Sequence, residues 1–226
     1  NSIYFETPSK NNNPNIQKKS GYSQVDFLQK IVFTLPKEKQ LLINLQFSNS
    51  SNIPRFDKLN EMMKNKLRFA EWNYGPQKRL LISPQLKIFP KKKYLYKGTI
   101  IAAYQWVKES RIQRRFESLD RINQNENVNI FSLNADFEMP KTRKISVVYG
   151  FELVGNKIKS DAFRERLSVI GNTITQTQFV GRFPSRYPNN GSSYFVSAAY
   201  SNLRVDFNTK SSVSLGARYT STKIKA

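Results

Sequence analysis

The feature that most constrains this sequence is a strict alternation of apolar and polar residues on either side of one short basic turn. Over residues 127–138, apolar side chains occupy every second position: Phe131, Leu133, Ala135 and Phe137. After the turn MPKTRK the alternation resumes: Ile145, Val147, Tyr149, Phe151 and Leu153. Because successive side chains of a β-strand point to opposite faces, a period of two predicts strands rather than helices. The two segments are therefore predicted to form an antiparallel hairpin with one apolar face.

The same period recurs along the chain and predicts eight strands in all. The six outside the hairpin are expected near residues 24–35, 41–50, 79–89, 99–113, 193–207 and 213–220. Pro84 lies in the apolar phase of the third strand, where it predicts a bulge or a lost ladder hydrogen bond, since proline has no N–H to donate. No amphipathic helix of any length competes with this pattern.

Short and long connections alternate along the chain. The short ones are PKEK, PKKKYLYKG, PKTRK and NTKS, and the long ones span about 51–78, 114–126 and 161–192. In an up-and-down sheet this alternation places all short turns at one rim and all long loops at the other, as in outer-membrane β-barrels. The predicted fold is therefore all-β: an antiparallel up-and-down transmembrane β-barrel segment of about eight strands, with its apolar face towards lipid.

The composition argues against an enzyme and against a metal or cofactor site. There is no His and no Cys among the 226 residues. The absence of His removes the usual catalytic base and the commonest metal ligand, and the absence of Cys removes disulfides and thiolate sites. No catalytic residue, metal ligand or cofactor is predicted. No apolar run approaches the roughly 18 residues of a membrane-spanning helix.

The chain is strongly basic, with 37 Lys and Arg against 16 Asp and Glu and a net charge of +21. Such an excess indicates an anionic partner, so a soluble or surface basic β-domain that binds nucleic acid or another polyanion is the alternative function. That alternative predicts cations interleaved with aromatic residues on strand faces, whereas here the cations concentrate in turns, loops and strand ends. A β-sandwich that buries its apolar phase against a second sheet is a further alternative.

Two segments of the first long loop carry candidate ligand-binding residues. They are Arg55 and Asp57 in IPRFDKLNE, and Phe69, Trp72, Tyr74 and Arg79 in FAEWNYGPQKR. Aromatic and cationic side chains above a lumen suit anionic or ring-bearing ligands. The alternatives are an aromatic girdle at the membrane rim, packing within the loop and, for Arg55 and Asp57, an ion pair that orders the loop.

Segments spread over most of residues 20–226 carry a resemblance that extends to loops as well as strands: NLQFSNSSNIPRFDKLNE, FAEWNYGPQKRLLISPQLKIFPKKKYLYKGTIIAAYQ, KESRIQRRF, VNIFSLNADF, RYPNNGSSYFVSAAY and LGARYTSTKIKA. They closely resemble part of the barrel of TonB-dependent receptors of the Bacteroidetes type. The resemblance implies a barrel of about 22 strands in the outer membrane of a Gram-negative cell, plugged by an N-terminal domain. It also implies uptake of a scarce nutrient, such as a siderophore or carbohydrate, with energy delivered by TonB.

The sequence also departs from the family pattern. No TonB box, plug domain or terminal strand ending in an aromatic residue is recognised, so residues 1–226 are expected to be a middle portion of the barrel. Residues 1–23 and the three long loops are expected outside the cell, and TonB would act through the plug region. The expected partners are outer-membrane lipid and an imported small-molecule or oligomeric substrate, and nucleic acid is not expected. No residue-level ligand motif transfers, because the family's substrate contacts vary with the loops and plug.

Overall fold

The computed structural model describes residues 4, 6, 11–142, 144–188 and 191–225. Most of residues 1–10, and Arg143 in the predicted basic turn, lie outside the described residues. The elements in chain order are β1 (Gln24–Leu35), β2 (Lys39–Ser50), β3 (Ile53–Pro54), α1 (Phe56–Leu59), β4 (Met62–Met63), β5 (Lys66–Leu67), β6 (Phe69–Tyr74), β7 (Lys78–Ile88), β8 (Lys97–Arg115), β9 (Asp120–Glu138), β10 (Ile145–Ile170), β11 (Thr173–Arg182), β12 (Ser192–Asp206) and β13 (Ser212–Lys225). The predicted all-β class is confirmed.

Eight long strands form one antiparallel meander, in the order β1-β2-β7-β8-β9-β10-β12-β13. They correspond to the eight strands predicted from the alternation, and the hairpin of β9 and β10 pairs Leu133 with Leu153. Three shorter strands extend the sheet, with β3 on β6, β6 on β8 and β11 on β10, while β4 and β5 form a separate pair. The sheet is open across the described residues, because β1 and β13 each have one neighbour.

Pro84 interrupts the ladder between β7 and β8. Pairing with β8 is present at Ile82–Tyr104 and again at Gln85–Ile101, but is missing between these points, and the register is the same on both sides. On its other edge β7 pairs without a break, with Pro84 opposite Ile43. The prediction of a lost ladder bond is therefore confirmed, and no bulge accompanies it.

Two of the expected long loops are wrong in large part, because the strands continue through them. Strands β8 and β9 pair as far as Arg114 opposite Arg121, so their connection is only residues 116–119. Strand β10 runs for 26 residues, and the predicted loop 161–192 contains its upper end, a turn and β11. Gly171 lies in that turn with φ +60°, a conformation that favours glycine. The backbone ladder continues here although the apolar period stops.

The apolar phases of all eight long strands meet on one side of the sheet, here called the apolar face. Residues paired across an antiparallel ladder point to the same face, and one such row shows the pattern: Ile31, Ile43, Pro84, Ala102, Leu133, Leu153, Ser197 and Ser221. Between the short turns and the first lysines above them, this face carries no charged residue. The opposite face is mixed, with Lys30, Arg79 and Glu152 beside apolar side chains.

No second layer covers the apolar face in the described part of the chain. Phe27 is 55% exposed, Phe131 60% and Leu215 65%. The buried hydrophobic residues are few, and several belong to the upper ends of the sheet: Phe69, Ala135, Ala162, Leu167, Ile174 and Ala198. Among the described residues, no helix has the length and apolar character needed to cross a membrane.

Candidate ligand-facing site

An aromatic cluster built from Arg55, Trp72, Tyr74 and Arg111 lies above the opposite face. Strand β6 alternates, so Trp72 and Tyr74 point to one side, and it pairs with β8 so that Tyr74 lies opposite Arg111. The two rings meet edge to face with centroids 4.8 Å apart. Two guanidinium groups flank Tyr74, that of Arg55 at 5.2 Å and that of Arg111 at 5.4 Å from the ring centroid. Such contacts are cation–π interactions.

Arg55 connects the cluster to the loop that precedes it. Its guanidinium lies 5.0 Å from the centre of the Trp72 ring, donates to the Tyr74 hydroxyl at 2.7 Å and donates from Nε to the Asp57 carboxylate at 2.7 Å. The hydrogen bond from Arg55 lowers the pKa of Asp57 below its ordinary value. The cation, the carboxylate and the phenol therefore satisfy one another, as expected of an interaction that orders a loop.

The structure unites four of the six predicted site residues. Arg55, Asp57, Trp72 and Tyr74 meet in the cluster, and Asp57 is the most exposed of the ionic pair, at 58% of its side chain. Phe69 lies at the other end of β6, where it is 8% exposed and packs beneath Arg68. Arg79 lies on β7 and donates to Gln105 at 3.1 Å. Neither residue shares a hydrogen bond, ion pair or ring contact with the cluster.

The sequence analysis missed an ionic network on the other side of β6. Arg114 is 1% exposed and pairs with Glu71 at 2.9 Å and Glu6 at 2.6 Å. Arg121 pairs with Glu71 at 3.0 Å and with Glu165 at 3.2 Å. The alternation of Glu71 with Trp72 and Tyr74 was the available signal, since it indicates a strand with one ionic and one aromatic side.

A buried carboxyl group lies on the opposite face just below the cluster. Glu126 is 5% exposed, its two carboxyl oxygens have no hydrogen-bond partner, and Glu109 is its neighbour across the ladder. Burial raises the pKa of Glu126 above its ordinary value, while Arg186 and Arg111 oppose the shift and Glu109 adds to it. The described residues contain no group of three His, Cys, Asp or Glu side chains arranged to hold a metal ion.

Comparisons with known proteins assign no family. A scan against models of protein families gave no match, and a search of curated proteins gave none either.

Proposed function

We propose that this chain forms part of the wall of an outer-membrane β-barrel of the TonB-dependent receptor type, which takes up a scarce nutrient. One observation carries the proposal: an apolar face, without charge and without cover, is continuous in register across eight strands. In water such a face would expose large side chains, including Phe131 and Leu215, at an unfavourable free energy of roughly 25 cal/mol for each Å². In a bilayer the same face contacts lipid.

The distribution of charge supports a lipid-facing surface. A cation at the bilayer midplane costs roughly 2–4 kcal/mol in a transmembrane barrel. With a net charge of +21, a sheet in water would have no reason to exclude Lys and Arg from one face of eight strands. The charged residues of these strands lie instead on the opposite face, at the short turns or above the apolar face. On the opposite face, which would line the lumen, Arg218 pairs with Glu152 at 3.4 Å.

The upper edge of the apolar face runs obliquely across the sheet. The first cations above the apolar residues are Lys108, Lys157 and Lys223. Across the ladder Lys108 is level with Lys159, so Lys157 lies two residues lower than Lys108. Lys157 is level with Lys225, so Lys223 lies two residues lower again. The edge descends four residues over four strand steps, about 14 Å along the strands for about 19 Å across them. This slope of about 35° agrees with the tilt of transmembrane β-strands, roughly 35–45°, if the edge lies parallel to the bilayer plane.

Aromatic residues border the apolar face above and below. Near the upper edge, Trp106 donates to Asn127 and Tyr104 donates to Asn129, each at 2.8 Å. Near the short turns, the Tyr149 hydroxyl donates to the backbone carbonyl of Tyr94 at 2.9 Å. Aromatic rings with one apolar and one hydrogen-bonding end are enriched at both membrane interfaces.

The open edges and the opposite face fit a larger closed barrel. Strands β1 and β13 each leave one row of backbone groups without a ladder partner, which closure with further strands would satisfy. On the opposite face Leu28 is 59% and Val32 52% exposed. Apolar side chains of this kind suit contact with a plug inside the lumen, through which TonB would act. The aromatic cluster would then lie among the external loops that capture the substrate.

The absence of Cys allows a direct test by accessibility. Single substitutions Leu133→Cys and Asn134→Cys place thiols on neighbouring residues of opposite faces of β9. In outer membranes of cells that produce the protein, a water-soluble maleimide should label Asn134→Cys much faster than Leu133→Cys, and the protection of Leu133→Cys should disappear in denaturant. Equal labelling without denaturant would overturn the membrane proposal, and nucleic-acid binding would be measured next.

Transport is tested separately by growth. Cells that lack the gene, and cells that lack TonB, should both fail to grow at limiting concentrations of the same nutrient, screened among siderophore-bound iron and oligosaccharides. A gene deletion with no effect on any nutrient that requires TonB would count against uptake while leaving the membrane location to the labelling experiment.

A further inference from the structure

Four lysines, here called the border lysines, mark the upper edge of the apolar face: Lys78, Lys108, Lys157 and Lys223. They share the phase of the apolar residues, so their side chains leave the sheet on the same side as Leu80, Trp106 and Phe195. Their positions are set by the ladder rather than by a loop. The protein therefore presents a built row of cations along one line of its surface.

The border lysines have no acidic partner in the described part of the chain. The lysines that form ion pairs there are Lys58, Lys66, Lys91 and Lys97, and all four lie in loops or near the short turns. Lys78 and Lys108 are direct neighbours across the ladder, an arrangement of like charges that destabilises a sheet. A row of unpaired cations is stabilised by an anion from outside.

The position of the row selects the chemistry of that anion. Below the row the surface is apolar and uncharged, and within two residues of Lys108 the Trp106 ring presents its N–H towards Asn127. An anion that meets these lysines must therefore adjoin hydrocarbon. Phosphate groups of lipid headgroups satisfy this condition, and juxtamembrane Lys residues gain roughly 1 kcal/mol each at an anionic surface.

We infer that the border lysines bind the phosphate groups of anionic lipids in the leaflet that meets the upper edge of the sheet. The inference rests on the proposed membrane location and goes beyond it, since a lipid-facing sheet requires no selectivity among headgroups. The selectivity extends along the row from β7 to β13. Lys108, Lys157 and Lys223 follow the slope of the apolar face, and Lys78 lies level with Lys108 on the neighbouring strand.

Quenching of Trp106 by brominated lipids tests the inference. The full protein is reconstituted in equimolar phosphatidylglycerol and phosphatidylcholine, with either the anionic or the zwitterionic lipid brominated, and the difference between the parent and Trp106→Phe isolates this fluorophore. Brominated phosphatidylglycerol should quench more strongly. The preference should fall roughly fivefold for each lysine removed in Lys78→Gln/Lys108→Gln.

A matched pair on the opposite face provides the control. Lys30→Gln/Lys87→Gln removes two lysines of the opposite face, one from β1 and one from β7, and should leave the preference unchanged. Equal losses in both double variants would overturn the inference, because the attraction would then belong to the net charge. Equal quenching by both lipids in the parent would overturn it while the membrane location stands. No quenching by either lipid would overturn both proposals.

Discussion

The lower and upper parts of the same strands differ sharply although one ladder runs through both. In the lower part the face of β9 that carries Phe131 and Leu133 is apolar and exposed. In the upper extension, here residues 109–126, 159–182 and β6, the same face carries Arg114, Arg121 and Glu165 in ion pairs. The change occurs at Lys108, within a single strand.

Under the proposed membrane location, the surroundings rather than the backbone decide what each face carries. Hydrogen bonding between β8 and β9 continues without a register shift from Lys97 to Arg114, so both parts satisfy their backbone groups equally. A lipid-facing surface gains stability from apolar side chains and excludes charge. A surface in water uses charge instead, and the buried Arg114 pairs there with Glu71 and Glu6.

The largest expected effect comes from removing the central cation of the upper extension. Arg114→Met removes the shared partner of Glu71 and Glu6, although Glu71 keeps its ion pair with Arg121. The expected cost is about 3 kcal/mol, the lower end of the range for breaking a buried ion pair. Hydrogen exchange should accelerate in β6 and residues 115–121 while the lower part of β9 stays protected. The neighbouring Arg115→Met, at an exposed position, is the control and should change little. Unchanged exchange in β6 would show that the network does not hold the extension.

A cation in the lower part should have a comparable effect. Leu133→Lys places a charge at the centre of the apolar face and is expected to lower the free energy of unfolding from lipid vesicles by roughly 2–4 kcal/mol. Equilibrium denaturant unfolding in vesicles measures this change. Asn125→Lys lies on the same face of the same strand in the upper extension, and should cost less than about 0.5 kcal/mol. Similar costs at both positions would remove the proposed boundary between them.

Substitutions at two glycines of β10 compare how tightly side chains pack on the two faces of the sheet. A Cβ at Gly150 would clash with the backbone carbonyl oxygen of Ala135 and would also meet the Tyr200 side chain at 2.6 Å, whereas a Cβ at Gly155 would meet nothing closer than Phe195 at 3.7 Å. Gly150→Val is therefore expected to cost roughly 1–3 kcal/mol, as overpacking does, and Gly155→Val much less. Thermal unfolding of both variants in the same lipid measures the difference. A larger loss for Gly155→Val would contradict the described packing.

The smallest expected effect is a dependence of stability on pH. The pKa of Glu126 is raised in the folded protein, so the folded state favours the protonated carboxyl. Its contribution to stability is therefore complete below pH 4.5, the ordinary pKa of the group, and is lost as pH rises through the folded pKa. Asp57 has a lowered pKa and the opposite sign, because its contribution is lost as pH falls. Hydrogen exchange near residue 126 at several pH values should lose its pH dependence in Glu126→Gln. The same dependence in that variant would assign the effect to another group.

Sequence alone predicted the lower part well and the upper extension poorly, for a physical reason. Where one face is apolar throughout, the hydrophobic period is visible, as at Phe131 to Phe137, and even the missing ladder bond at Pro84 follows. Above Lys108 both faces are polar, so the ladder leaves no hydrophobic period in the sequence. The turn at Gly171 and Asn172, flanked by Val169 and Ile174, was the one local signal for β11.

The candidate site was predictable only in its residue types. Arg55, Trp72 and Tyr74 were found as a loop composition, but their contacts depend on β6 pairing with the upper end of β8, a pairing between segments far apart in sequence. Arg111, which completes the cluster, stood within a charged segment, KESRIQRR, that gave no indication of its neighbour. Phe69 and Arg79 shared the same segment of sequence and are placed elsewhere by the ends of β6 and β7.

The meander also determines how the sheet can be built. Each long strand pairs with the long strand before it. The shorter elements between β2 and β7, and between β10 and β12, do not interrupt this order, because β7 pairs with β2 and β12 pairs with β10. Strand neighbours in the sheet are therefore neighbours in the order of the long strands along the chain. A chain that assembles from β1 onwards always offers one free edge to the next strand. The sheet can grow in the order of synthesis, without any strand entering between two that are already paired.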